Sequence, residues 1–298
     1  MLKYSVNFID GPKITIDKSN EKGYYNIFFK DNDTNKIIYK DVIEPGQYSK
    51  SNIKYYKNWN IKVEKDDNIL LDYDINLKNK IVVISLESKS IGDSLAWTPY
   101  AEEFRKKHNC ITYISTFKND LFEEQYENIH FIKPGTNIDN IFAKYHIGWF
   151  NPYINKNPYD FKKIPLQKTA TDILGLDYVE IIPKIKKPKN VNPPYNNKYV
   201  CIAQYSTSNA KHWHYPVIDS EKGWQILVDW LNYCGYKVVV ISKQPTKLKN
   251  IIDRTGDFPL DWRIQEIMFS DFFIGIGILF QDAQRNVDII SVIRRTDP

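Results

Sequence analysis

Cysteine is scarce in this chain: Cys110, Cys201 and Cys234 are the three in 298 residues, far apart and odd in number. Such a set argues against a disulfide framework and fits reduced thiols. No run approaches the ~18 apolar residues of a membrane span, and the first ten residues lack the long apolar stretch of a secretory signal. Those two absences lead to the expectation of a cytoplasmic protein without a membrane span. Metal-ligand spacing is also missing, because His212 and His214 stand two apart with no cysteine or carboxylate cluster beside them. Neither an internal repeat nor a low-complexity tract is present. The charge balance, 41 Lys and Arg against 36 Asp and Glu, is spread thinly along the text and gives no reason to expect a nucleic-acid partner.

What is present is ordinary globular material, 42% apolar and 26% charged, long enough for two or three folding units. Residues 3–9, 13–17, 24–29, 36–39, 53–63 and 68–73 read as short strands. Turn signals such as Asp10-Gly11-Pro12 and Glu44-Pro45-Gly46 separate them, which predicts a small all-β domain over residues 1–79. The rhythm changes at Lys80. Ile81-Val82-Val83-Ile84-Ser85-Leu86 is a continuous apolar run of the kind a parallel strand buried on both faces requires. A helical stretch over 94–107, strands at 111–115, 129–132 and 145–150, and a helix over 166–174 closed by Gly175 predict a Rossmann-like lobe over residues 80–183. Proline and asparagine then dominate residues 184–198, which read as a linker. A second Rossmann-like lobe is expected over 199–298, from Tyr199-Val200-Cys201-Ile202-Ala203, a helix over 223–234, the run Lys237-Val238-Val239-Val240-Ile241-Ser242 and a strand at 271–276.

In open parallel sheets ligands bind beyond the carboxyl ends of the strands, so the loops after the apolar runs carry the chemistry. One is Glu87-Ser88-Lys89-Ser90-Ile91-Gly92-Asp93-Ser94. Gly92 allows close backbone approach there, and Asp93, at a helix start, reads as an N-cap first and as a carboxylate entering the cleft second. The other is Gln204-Tyr205-Ser206-Thr207-Ser208-Asn209-Ala210-Lys211-His212-Trp213, whose hydroxyls, amides and lysine suit a diphosphate, although a lysine in a polar loop is usually just solvated.

The segment Ile91-Gly92-Asp93-Ser94-Leu95-Ala96-Trp97-Thr98-Pro99-Tyr100, followed by Glu103-Phe104-Arg105, resembles the corresponding part of the bacterial autotransporter heptosyltransferases, relatives of the lipopolysaccharide heptosyltransferases. The likeness continues through Thr116-Phe117, Pro134-Gly135, Gly148-Trp149, Gln167-Lys168-Thr169-Ala170-Thr171-Asp172-Ile173-Leu174-Gly175-Leu176 and the loop around Lys211, reaching about residue 276. It implies an α/β fold of GT-B type, two Rossmann-like lobes behind the small β domain. It implies Asp93 as general base, Gly92 and Ser94 as residues of the cleft loop, and Lys211, Ser206, Thr207 and Gly277 as donor-binding groups. The implied reaction is inverting transfer of heptose from an ADP-heptose-type donor to serine hydroxyls of an autotransporter adhesin, and the implied assembly is a homo-oligomer.

After Ser270-Asp271-Phe272-Phe273-Ile274-Gly275 the chain departs from the family pattern, so the second lobe is expected to be truncated. The later cysteine cluster that holds iron in longer relatives is missing, and the expectation is therefore no bound iron, no cofactor and a metal-independent reaction. Asp31-Asn32-Asp33 comes nearest to the Asp-X-Asp triplet of metal-dependent sugar transferases, but it lies among the short strands, where a turn is the expected role. Two alternatives stay open: an inactive or truncated homologue that acts as a binding module, and a transferase acting on lipopolysaccharide core or another glycan.

Overall fold

The structure, a computed structural model, describes residues 2–151, 153, 157–160, 163–190, 192–205, 220–276 and 290–294. The chain forms two compact units, Met1–Lys186 and Lys187–Pro298, and the division falls within the proline-rich stretch at 184–198.

The first unit begins with seven strands, β1 (Tyr4–Ile9), β2 (Lys13–Ile16), β3 (Tyr25–Asp31), β4 (Lys36–Ile43), β5 (Tyr48–Lys50), β6 (Trp59–Lys65) and β7 (Asn68–Asp74). It continues as β8 (Ile81–Leu86), α1 (Ile91–His108), β9 (Ile111–Ser115), α2 (Asn119–Phe122), β10 (Ile129–Ile132), β11 (Ile141–Ile147) and α3 (Leu166–Leu174). Two sheets result. One is antiparallel, in the order β4-β3-β6-β7, and its inner strands alternate as a half-buried sheet should: Tyr25, Ile27 and Phe29 of β3 and Trp59, Ile61 and Val63 of β6 are buried. The other has seven strands in the order β10-β9-β8-β11-β1-β2-β5.

That second sheet corrects the domain boundary expected between residues 79 and 80. Strand β1 runs parallel to β11, Phe8 opposite Ala143, while β2 and β5 follow it as antiparallel neighbours, so three of the N-terminal strands extend the α/β sheet. The physical reason is that a strand's local pattern is the same whichever partner completes it. Phe8, Ile14 and Ile16 needed an apolar cover, and all three are buried in this sheet.

Strand β8 is central, with parallel β9 on one side and parallel β11 on the other. Val82, Val83, Ile84 and Leu86 are buried, each contributing roughly 1.5–3 kcal/mol of transfer free energy. Helix α3 packs on α1, where the Trp97 indole donates to the Leu166 carbonyl at 3.0 Å. It ends at Gly175 in the left-handed region, φ 62°, as the expected C-cap glycine.

The second unit contains β12 (Tyr199–Ala203), α4 (Ser220–Tyr233), β13 (Lys237–Val240), β14 (Ile252–Asp253), α5 (Leu260–Met268), β15 (Phe272–Ile276) and β16 (Ile290–Arg294). Its sheet runs β14-β13-β12-β15-β16, parallel except for β16. Val200 and Ile202 face Trp224, Val228 and Leu231 of α4, spaced on one helical stripe, whereas Tyr199, Cys201 and Val239 fill the opposite face. Burial on both faces accounts for the unbroken apolar runs of β12 and β13.

Candidate active site

In each unit the strand order reverses beside one strand. From β8 the chain goes to β9 and β10 on one side and then returns to β11 on the other; from β12 it goes to β13 and β14 and returns to β15. Such switch points open a crevice at the carboxyl ends of the strands, where ligands of parallel sheets bind.

The loop leaving β8 is built around one hydroxyl. Ser88 Oγ accepts from the Ser90 N–H at 3.1 Å and donates to Asp93 Oδ2 at 2.5 Å. Ser90 is the N-cap of α1, and its Oγ accepts from the Asp93 N–H at 3.4 Å. The cap role considered for Asp93 therefore belongs to Ser90. This leaves the half-buried Asp93 carboxylate in the first helical turn, where the helix dipole favours negative charge. Gly92 is half-buried in the same turn, whereas Ser94 is fully buried and turns back on its own helix, donating to the Ser90 carbonyl at 2.9 Å. Ser94 is thus a packing residue, and its place in the cleft loop is corrected accordingly.

Three further titratable groups meet at neighbouring strand tips. His146, near the end of β11, has Nδ1 2.6 Å from Glu87 Oε1 and Nε2 2.7 Å from Asp10 Oδ1. Glu87 directly follows β8 and Asp10 directly follows β1. Burial disfavours the charged imidazole, but the two carboxylates outweigh it and raise His146 above its ordinary value. Hydrogen bonding to His146 lowers Asp10; for Glu87, burial works upward and the bond to His146 prevails downward. Gly148 has φ 87° and stands so close to the Trp97 ring that a Cβ would lie 2.6 Å from Cη2, which explains why glycine follows β11.

In the second unit the end of β12 meets the loop after β13 through neutral groups. Ser242 Oγ accepts from the backbone N–H groups of Gln204 at 2.7 Å and Tyr205 at 3.2 Å, and Thr246 Oγ1 donates to Gln204 Oε1 at 2.7 Å. Gln204 is fully buried, and its Nε2 has no hydrogen-bond partner among the described residues. The candidate donor groups Ser206, Thr207, Lys211 and Gly277 lie outside the described residues. In chain order they follow β12 and β15, the two strands at the switch point. Glu87, Ser88 and Gln204 lie in the two loops marked out from the sequence but were given no role there, and His146 and Asp10 were not singled out as site residues. The signal that could have found them is their position on or directly after strand ends.

No protein-family model matches the chain. It is 30% identical over 288 residues to the autotransporter heptosyltransferase BAHTCr of Citrobacter rodentium strain ICC168, covering 91% of this chain and 67% of that one. The crystal structure of TibC from enterotoxigenic Escherichia coli H10407, a dodecameric iron-containing glycosyltransferase, superposes with a TM-score of 0.78 at 28% identity, covering 93% of this chain and 73% of TibC. TibC has also been solved in complex with ADP-D-beta-D-heptose. A more distant relative, 24% identical over 244 residues, covering 79% of this chain and 54% of its own, is the inactive autotransporter heptosyltransferase BimC of Burkholderia thailandensis strain E264. The mixed α/β fold is therefore that of a glycosyltransferase. Within that class the chain belongs to the autotransporter heptosyltransferase family.

One expectation is overturned by these relatives. The absence of any cofactor or iron does not stand, because TibC is iron-containing. Among the described residues, no group of three or more His, Cys, Asp or Glu side chains is arranged to hold a metal. Cys110 and Cys201 are separately buried, with burial raising both thiols, and Cys234 is exposed. These residues do not fit an iron site, and no step of the chemistry below is routed through one.

Proposed function

We propose that the chain is an inverting glycosyltransferase that moves heptose from an ADP-heptose-type donor to serine hydroxyls of an autotransporter adhesin. Its two units act as the Rossmann-like lobes of a GT-B enzyme, the first serving the acceptor and the second the nucleotide sugar. The reading is supported by membership of the family and by the complex of TibC with ADP-heptose. The observation that carries it is the Asp93 carboxylate, tethered by Ser88 at the switch point of the first sheet.

In this mechanism Asp93 takes the proton of the acceptor hydroxyl as its oxygen bonds to the anomeric carbon. The bond from that carbon to the diphosphate breaks on the opposite face, and the electron pair leaves with ADP. Lys211, supported by Ser206, Thr207 and the backbone at Gly277, meets the growing negative charge. No helix among the described residues is long and apolar enough to cross a membrane. We place the reaction in the cytoplasm, before export of the adhesin, and propose that the chain assembles with copies of itself.

The test is transfer of labelled heptose to an adhesin fragment, combined with calorimetry of donor binding. Asp93→Asn is expected to abolish transfer and retain donor binding; an active Asp93→Asn enzyme removes the base assignment. The likeness to inactive BimC supports one rival reading, a binding module without activity. A thermal-shift titration separates the two, since ADP or ADP-heptose well above its Kd stabilises a competent protein and leaves the rival's melting temperature unchanged.

A further inference from the structure

The imidazole of His146 bridges two carboxylates from neighbouring strand tips, and one of them starts the loop that carries Asp93. Nδ1 is hydrogen-bonded to Glu87 Oε1 at 2.6 Å, and Nε2 makes an ion-pair contact with Asp10 Oδ1 at 2.7 Å. Two carboxylates this close favour the imidazolium, which can donate from Nδ1 to Glu87 and set its charge beside Asp10. Glu87 is also pinned through its backbone, its N–H donating to the Ile147 carbonyl at 2.9 Å. The next residue is Ser88, the hydroxyl that holds Asp93 Oδ2. A continuous series of contacts therefore runs from His146 through Glu87 and Ser88 to Asp93.

We propose that His146 is a positioning residue for transfer: by clamping Glu87 to Asp10 it fixes the strand tip from which Ser88 aims the Asp93 carboxylate at the acceptor hydroxyl. The assignment rests on Asp93 being the base. It adds that the geometry of that base depends on an ion cluster some residues away. A general base shifted by a fraction of its hydrogen-bond length loses rate while the donor, bound elsewhere, keeps its affinity.

The charged groups facing His146 are Asp10 from the turn after β1, Glu87 from the tip of β8 and Lys144 on β11 itself, with Lys50 and Lys54 acting on Asp10. Asp10 and Glu87 are lowered and His146 is raised, so the bridge is intact between the titration of the carboxylates and that of the ring. It is lost as pH rises through the raised value of His146. Transfer accordingly has an alkaline limb that belongs to His146.

The experiment compares the full chain with His146→Gln and Glu87→Gln. For His146→Gln, kcat falls roughly 10- to 100-fold with donor KM unchanged, and the alkaline limb disappears. Amide exchange at Ser90 and Asp93, whose N–H groups are bonded within the loop, speeds up severalfold. For Glu87→Gln, the His146 midpoint followed by NMR and the alkaline limb move together to lower pH, because one of the two carboxylates that hold the proton is gone. Unchanged exchange at Ser90 and Asp93 in a folded His146→Gln protein overturns the proposal whatever the activity. So does a limb that stays in place while the His146 midpoint moves. Should His146→Gln not fold, Glu87→Gln, which keeps the ring and its Asp10 contact, decides by the same midpoint and exchange. A wild-type chain that transfers nothing counts against the proposed function, while the exchange measurement still decides whether His146 orders the loop.

Discussion

The carboxyl ends of the two parallel sheets are chemically unlike. In the first unit the tips around the switch point carry Asp10, Glu87 and His146, with Asp93 in the helix turn that follows. In the second they carry Gln204, Ser242 and Thr246, hydroxyls and an amide that do not titrate near neutral pH. At the first edge proton-accepting groups gather; at the second, among the described residues, the end of β12 is tied to the loop after β13 by hydroxyls and an amide. The proposed mechanism divides its work between the two edges, because the acceptor must lose a proton while the departing nucleotide must keep its negative charge.

Substitutions at the two edges should therefore fail in different ways. The largest effect is expected for Asp93→Asn, a loss of ~10²- to 10⁴-fold in kcat with unchanged donor affinity by calorimetry. A parallel loss of donor affinity would erase the division of labour. Next comes Glu266→Ala, which tests whether the buried carboxylate of the second unit is structural. Glu266 is held by Arg254 at 2.6 Å and Arg263 at 3.1 Å, so its removal leaves two poorly solvated guanidinium groups. Destabilisation of about 3–5 kcal/mol in chemical denaturation is expected.

Lys211→Ala should act on binding, weakening the donor by roughly 10- to 100-fold, the size of a lost charge-assisted hydrogen bond. A variant that lost only kcat would move Lys211 to the proton-handling side of the comparison. The smallest effect belongs to Ser242→Ala, about 1–3 kcal/mol, because the buried Gln204 N–H loses its partner. Hydrogen exchange at Gln204 and Tyr205 would register it first.

Much of the fold was legible because double burial leaves a plain mark in the text. The apolar run at 81–86 is β8 and the run at 199–203 is β12, residue for residue, and Gly175 closes α3 as a helix-ending glycine should. Elements whose burial is partial left weaker marks. Strand β14 spans two residues and α5 buries only Glu266 outright, so neither announced itself, and the strand expected over 145–150 lies at Ile141–Ile147. Sheet membership was not legible at all, since nothing local to β1 says that it pairs with β11. The site followed the same rule. Asp93 drew its proposed role from the family resemblance of its loop, whereas the bridge at His146 joins residues from three separate strand tips, and its parts come together only after the parallel pairing of β1 is known.

That pairing also sets an order of events at the ribosome. The strand made first, β1, is hydrogen-bonded in parallel to a strand on the order of 130 residues downstream, so it has to wait, with one edge open, until β11 has emerged. At typical elongation speeds the delay is on the order of ten seconds. Asp10 can meet His146 only when it ends, so the corner of the molecule best suited to handling protons has to wait for a segment near the middle of the chain.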